Sequence, residues 1–558
     1  MTYDSLHPTT FYDTFPDYLA GMESLYGEKF ALSCYTRTGE EQTLTYTELC
    51  AQIRALRVAL CSHNLQGKHV AILSENSFAW LIAYFAIVSC GGVAVCIDTE
   101  QPDEAIREMV LDSDSAAVFA SSVFVPICLP LLETANALPL VHMDAPGEDG
   151  TNAANTFPTL TDWVEAGNRL LAENPDAAQP MALDPDQIAS IAFTSGTTST
   201  SKMVMLSHRN LLKNASEAVS YVFMGPKVFT PLPFYHTYGL TCSILNNLVR
   251  GAHIVINGDM RTLFRNLSAA RPYAFVAVPL MVESLYNQIW VNAKKNGTTE
   301  ALRRSLRHAG LWHGLGIKKR HPDLEEIHQT FFAGVTVIIT GGASIDAQIC
   351  EKLELLGVLV LQGYGITECS PLISANHNAH YRHGSVGRAL RDTEVRFVDD
   401  EIWVKGPSVM HGYYKNPAQT AEAIEDSWFK TGDLGHMDKD GFLFITGRKK
   451  NQIVFKNGKK LSPEKIEAVL QGIPLIKEVV IHSTQAKDVS SDIQLVASIY
   501  PDPALTEGLS PYEVLTALQE EVNAINDTLP SYQRIELINV REQEFEKTAT
   551  KKTKRHLI

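Results

Sequence analysis

The chain has 558 residues, more than one ordinary domain, and its 45% hydrophobic content is that of a globular protein with a sizeable core. A formal net charge of −15 excludes broad nucleic-acid or anionic-membrane binding over the whole surface, so any anionic ligand needs a local basic site. Nine Cys with no CxxC pair exclude a disulfide scaffold and suit free thiols in a reducing compartment, the cytoplasm.

Met1–Thr10 is polar and lacks a basic start followed by an apolar run, so no secretory signal is expected. Thr45-Tyr-Thr-Glu48 resembles a capping box, and Leu49, Ile53, Leu56 and Leu60 then share one helical face. A strand is predicted over His69–Leu73, a helix over Ala79–Ser89 and a strand over Val93–Ile97. A Pro102-started helix and a strand over Ala116–Ala120 follow. Residues 80–97 are long enough to span a membrane, but Gly91-Gly92 breaks the run and an αβ repeat surrounds it. No integral span is therefore expected, and peripheral membrane contact stays open. The alternation points to mostly parallel sheets covered by helices.

An apolar stretch at 188–193 leads into Thr194-Ser-Gly-Thr-Thr-Ser-Thr-Ser-Lys202, and a helical pattern starts near Ser207. This hydroxyl-rich loop can offer N–H and O–H donors and the Lys202 charge to a polyphosphate. It is not a Walker loop, because Ser201 and Met203 stand where Gly and Ser/Thr are required. Read alone, it is equally a polar surface loop. Further strands are predicted at His253–Ile256, Ala274–Val278 and Val335–Ile339, and residues 290–330 are basic and helical. Short alternating strands (Glu394–Val398, Glu401–Val404) and a hairpin at Asp438–Gly441 mark a change of character after 394. From about 450 a smaller α+β module begins, with strands near Val479–His482 and Gln494–Tyr500 and a helix near Tyr512–Leu529. The tail 547–558 holds five Lys/Arg and no acid, by default a solvated terminus.

The ordered set formed by the 194–202 loop, Gly341-Gly342-Ala343, YGITE at 364–368, KTGD at 430–433, GRKKN at 447–451, NGKKLSPEKIE at 457–467 and KTATKKTKR at 547–555 resembles the adenylate-forming superfamily. The basic insert at 290–330, YGITECSPLIS at 364–374 and the NGKKLSP hinge segment are most similar to long- or medium-chain fatty acyl-CoA synthetases. The resemblance implies a large N-terminal domain, 1–449, of helix-covered, mostly parallel sheets with a small β-barrel-like subdomain. It also implies a small mobile C-terminal α+β lid, 450–558. The implied reaction joins a fatty or other carboxylic acid to ATP with Mg²⁺, then transfers the acyl group to CoA or to an acyl carrier protein. A non-catalytic nucleotide- or acyl-binding protein is the rival from another class, and a serine hydrolase lacks its GxSxG elbow.

The same resemblance assigns roles. Thr194, Ser195, Gly196, Thr197, Thr198 and Lys202 would hold the β/γ-phosphates. Glu368 would bind Mg²⁺, and Thr367 would contact the α-phosphate. Gly341, Gly342, Ala343, Tyr364 and Gly365 would flank adenine. Asp433 would accept both ribose hydroxyls, assisted by Arg448. Lys552 would bridge the substrate carboxylate and the α-phosphate, Lys450 would be the hinge, and Gly458 would face CoA. His236 in PLPFYHTYGL is either a gate of the acyl pocket or a structural His, and Tyr235, Tyr238 and Leu240 line either a tunnel or the core. Without the set, Asp433 reads as a turn residue and Lys552 as a solubilising charge. His377, His380 and His383 are spaced like metal ligands, but their segment reads as a variable loop. The chain departs from the family at Ser199, Ser201 and Met203, at Lys551 and Glu546, and at Asn451 in place of Asp.

Overall fold

The computed structural model describes the chain except residues 1–9, 37, 133–137, 144–156, 195–201, 456–458, 486–492, 548–552 and 556–557. Its contacts divide it into two compact units, residues 1–394 with 405–427, and 395–404 with 428–558.

The first unit is built on two sheets. The seven-stranded sheet runs, in spatial order, Gly412–Tyr413, Met203–Ser207, Ile188–Phe193, Val93–Cys96, His69–Leu73, Ala117–Ala120 and Leu140–His142. Five of these strands are parallel, and the two at the Gly412 edge are antiparallel. The nine-stranded sheet has a parallel centre: Leu359–Gly365, Val337–Thr340, Ala274–Ala277, Lys227–Thr230, His253–Ile256 and Phe30–Tyr35. Antiparallel strands close both of its edges. Those parallel strands therefore end together, at Thr230, Ile256, Ala277, Thr340 and Gly365, which is where ligands of open α/β sheets bind.

Local sequence accounts for these elements. Thr45 and Glu48 form the reciprocal capping box, so the helix Tyr46–Ser62 starts with two of its orphan N–H groups satisfied. Phe78–Ser89 is apolar all round because it is buried all round, against the helices Phe15–Tyr26 and Tyr46–Ser62 and the strand His69–Leu73. Its one phenol is satisfied: Tyr84 Oη lies 2.8 Å from Ser190 Oγ. Gly91 follows at φ 72°, a left-handed turn that redirects the chain into Val93–Cys96. No helix among the described residues is long and apolar enough to cross a membrane.

In the second unit, Glu394–Val398, Glu401–Lys405, Trp428–Met437 and Leu443–Arg448 form one antiparallel sheet. The strands Ile476–Gln485, Ile493–Pro501 and Leu537–Val540 form a mixed sheet, its last pair parallel, on which Pro463–Leu470 and Pro511–Asn526 pack. Asp438 shapes the predicted hairpin by accepting the N–H groups of Asp440 and Phe442 at 2.9 Å.

Candidate active site

The hydroxyl-rich loop joins two paired strands, Ile188–Phe193 and Met203–Ser207. Its base is closed by the Thr194 N–H, which donates to Lys202 O at 3.1 Å. Ser195, Gly196, Thr197 and Thr198 lie outside the described residues. Lys202 projects its ammonium over the Tyr413 ring, 4.5 Å from the centroid. Tyr413 in turn donates its hydroxyl to Glu368 Oε1 at 2.9 Å. The Met410 N–H donates to Glu368 O at 2.8 Å and fixes the backbone of the same residue. Tyr413 thus links the loop lysine to the acid of YGITE.

Tyr413 reaches this position because Gly412–Tyr413 pairs with the strand after the loop, Tyr413 opposite Val204. Its phenol is 4% exposed, and burial first, then the Glu368 charge, raise its pKa well above the usual phenol range. It stays a donor at any working pH. The sequence does not single it out, since a two-residue strand has no readable period.

Glu368 is half-buried, and its Oε2 has no hydrogen-bond partner among the described residues. A carboxylate held by one oxygen with the other available suits Mg²⁺, which takes oxygen ligands and few protein groups. Thr367 begins the short helical turn that carries Glu368 and Cys369. Ser370 then adopts φ 74° and ends that turn.

The adenine candidates lie at the strand ends. Gly341-Gly342-Ala343 follows Val337–Thr340, and Tyr364 and Gly365 end Leu359–Gly365. Gly342 has φ 87° with open space where a Cβ would stand. A Cβ on Gly341 would sit 3.3 Å from Gly363 O and 3.4 Å from the Tyr238 ring. One on Gly365 would stand 2.2 Å from Pro371 O, so that glycine is required by packing. Gln362 donates to Ala343 O at 3.3 Å and ties the two strand ends together.

His236 and Tyr238 follow the strand Lys227–Thr230 and therefore lie at the same sheet end. Asn76 holds their segment by donating to Leu232 O at 2.7 Å and accepting from Phe234 N at 3.0 Å. Tyr238 starts a π-helical stretch, Tyr238–Leu245, a distortion frequent at functional sites. Its hydroxyl donates to Ala277 O at 3.1 Å, which leaves the ring as the part facing Gly341. The His377 and His380 rings lie 5.4 Å apart, but the three spaced histidines do not gather as metal ligands among the described residues. His383 meets Glu354 at 2.8 Å, and His377 Nδ1 accepts the Ala379 N–H at 3.0 Å.

In the second unit Asp433 is 3% exposed and pairs with Arg448 Nε at 2.7 Å, the two facing each other across the hairpin. Asp433 N–H donates to Thr431 Oγ1 at 3.0 Å. Neighbouring Lys449 is 2.8 Å from Glu401, a buried acid that also accepts the Gly432 N–H at 3.1 Å. Lys450 lies on the short turn Lys449–Asn451. Asn451, the departure from Asp, donates its amide to Glu464 at 2.7 Å, a bond an aspartate there would replace by repulsion.

Gly458 and Lys552 lie outside the described residues. What flanks Lys552 is well anchored: Lys547 pairs with Glu478, and Arg555 pairs with Glu467. The described tail is therefore partly tied to acids of its own unit rather than wholly solvated.

The family model described as AMP-binding enzyme matches residues 24–414, and that described as AMP-binding enzyme C-terminal domain matches 450–558. The chain is 28% identical over 457 residues to Long-chain-fatty-acid–CoA ligase FadD15 of Mycobacterium bovis, covering 78% of this chain and 75% of that protein. It is 28% identical over 479 residues to the Long-chain-fatty-acid–CoA ligase of Salmonella typhimurium, covering 79% and 78%. The crystal structure of the anthranilate CoA ligase AuaEII in complex with anthranoyl-AMP superposes with a TM-score of 0.76 at 19% identity, over 99% of this chain and 97% of that one.

Proposed function

Because the chain belongs to the AMP-binding enzyme family, we propose that it is an ATP- and Mg²⁺-dependent acid–CoA ligase whose acid is a fatty acid. The observation that carries this reading is the Lys202–Tyr413–Glu368 arrangement. It gives a cation for phosphate and a carboxylate for a divalent ion one side chain apart. The fatty-acid part is supported by the names of the relatives at 28% identity.

A carboxylate is a poor acyl donor, because its charge repels nucleophiles and oxide is a poor leaving group. In the first half-reaction a carboxylate oxygen attacks the α-phosphorus of ATP, the bond to the β-phosphate oxygen breaks, and pyrophosphate leaves. In the second, the CoA thiolate attacks the acyl carbonyl and AMP leaves, its phosphate retaining the bridging oxygen. The protein has to bring two anions together and stabilise charge gathering at phosphorus.

Lys202 supplies fixed positive charge to the β/γ-phosphates. Glu368 would hold Mg²⁺, which would supply neutralisation of phosphate charge. Tyr413 aims the Glu368 carboxylate and supports the Lys202 chain, so a single phenol positions both. Gly341, Gly342 and Ala343, with Tyr364 and Gly365, give the flat backbone shelf for adenine. Asp433 takes the ribose diol, with Arg448 fixing its orientation. Lys552 brings an ammonium to the attacking carboxylate, and Lys450 is the hinge of a C-terminal lid over 450–558. His236 gates the acyl pocket beside Tyr238. The reaction belongs to the cytoplasm, where ATP and CoA are supplied.

Purified protein given ATP, Mg²⁺ and a panel of acids including octanoate and palmitate tests this. Pyrophosphate release with fatty acids, and thioester formation only once CoA is added, is expected. Absence of pyrophosphate with every acid refutes the ligase. Release with aromatic or dicarboxylic acids alone refutes the fatty-acid part. Thioester on a carrier protein but not on CoA refutes the acceptor.

A further inference from the structure

We infer that the basic helical insert is a docking surface for an anionic lipid bilayer. Residues 294–320 carry eight Lys/Arg against one acid, Glu300, a local charge of +7 in a chain of −15. The acids that follow, Asp323, Glu325 and Glu326, offset this only at the far end, where Glu325 is already paired with Arg320.

The helix Thr299–Gly314 turns Leu302, Ser305, Leu306 and Ala309 inward. Its opposite face shows Arg303, Arg304, Arg307 and Leu311, all exposed. Arg303 is paired with Glu300 at 2.7 Å, whereas Arg304, Arg307 and Lys319 have no ion pair among the described residues. Among these cations stand apolar side chains that water should not keep: Leu311 is 67% exposed, Leu315 78% and Ile317 42%.

Scattered exposed leucines are ordinary, but leucines interleaved with unpaired cations on one helix face and its following loop are not. That combination suits the interface of a bilayer containing acidic lipids. The cations meet headgroup phosphates, and Leu311, Leu315 and Ile317 enter the acyl boundary. Charge complementarity selects this occupant: the unpaired cations match acidic headgroups, whereas a second copy meeting the chain through this same face would set one +7 insert against another. The surface rests on the fatty-acid reading only for its purpose, placing the enzyme where its acid is dissolved.

Vesicle co-sedimentation tests it without ATP or turnover, so its failure is separate from failure of the ligase. Phosphatidylcholine vesicles with about 30 mol % phosphatidylglycerol are compared with neutral ones. Wild type should bind the anionic vesicles, weaken as salt rises and ignore the neutral ones. The double variants Arg304→Glu/Arg307→Glu and Leu311→Ser/Leu315→Ser should each lose about tenfold in partitioning. Unchanged melting and octanoate-dependent pyrophosphate release would show that they remain folded. No binding to anionic vesicles, equal binding to neutral ones, or unaltered binding by both variants overturns the proposal. So does a mass by light scattering that falls from dimer to monomer in Leu311→Ser/Leu315→Ser, since a second copy would then cover the face.

Discussion

Tyr413 donates its hydroxyl to Glu368 at 2.9 Å, although 45 residues separate them and neither motif position announces the other. A neutral donor on a carboxylate contributes about 1.5–3 kcal/mol when buried. On the proposed reading its role is aim: with Oε1 held, Oε2 is left for Mg²⁺.

Tyr413→Phe keeps the ring under Lys202 and removes only the hydroxyl. The expected result is a loss of about tenfold in kcat/KM with a higher Mg²⁺ requirement and little change in melting temperature. Titrating Mg²⁺ in the pyrophosphate assay reads this. A Tyr413→Phe enzyme with wild-type Mg²⁺ dependence would show that the phenol does not orient Glu368.

Glu368→Gln retains an acceptor but loses the charge. Adenylation should fall by about a hundredfold or more, with partial recovery at high Mg²⁺. Equilibrium dialysis of Mg²⁺ with ATP present gives a second readout. Undiminished Mg²⁺ uptake would remove Glu368 from the metal's ligands.

Asp433→Ala separates a ribose ligand from a turn residue. If the carboxylate binds the diol, the KM for ATP rises about tenfold or more, and 2′-deoxy-ATP loses its disadvantage relative to ATP. If Asp433 only braces the hairpin through Arg448, melting temperature falls and nucleotide discrimination is unchanged.

Glu217 gives a pH prediction away from the chemistry. It is 3% exposed on the helix His208–Tyr221 beside Asp392 and Lys213, and burial first, then Asp392, raise its pKa to about 7. As a carboxylate Glu217 accepts no hydrogen bond and has only the Lys213 ammonium 3.7 Å from Oε1, whereas a protonated Glu217 can donate to Asp392. An acid whose folded pKa lies above its unfolded value binds more protons when folded, so its stability contribution is present below the unfolded value near 4.5 and is lost as pH rises through about 7. Glu217→Gln should therefore raise the melting temperature at pH above about 8 and flatten its decline between about pH 5 and 7, a difference on the order of 1–3 kcal/mol. A melting curve series in which the variant tracks wild type at every pH contradicts it.

The sequence discloses most of the scaffold because its signals are local. The capping box at Thr45, the all-apolar Phe78–Ser89 and the Asp438 hairpin each lie within a few residues, and the structure contains all three. Much of the candidate site is readable for another reason: its charged and glycine-rich positions come as short contiguous strings. What was not readable is non-local. Tyr413 acquires its place by pairing opposite Val204, about two hundred residues away, through a strand too short to show alternation. Residues 395–404 and 428–449 pair with each other, as Trp403 with Lys430, and fall in one compact unit with 450–558, which no periodicity reveals. Glu478 and Glu467 likewise anchor the tail from positions 69 and 88 residues away.

The most direct measurement follows oxygen. Fatty acid labelled with ¹⁸O in both carboxylate oxygens is turned over with ATP, Mg²⁺ and CoA, and the products are weighed by mass spectrometry. Attack of the carboxylate on the α-phosphorus leaves one labelled oxygen in AMP and none in pyrophosphate. Label in inorganic phosphate with ADP as the nucleotide product, or unlabelled AMP alongside acyl-CoA, would contradict adenylation as the activating step.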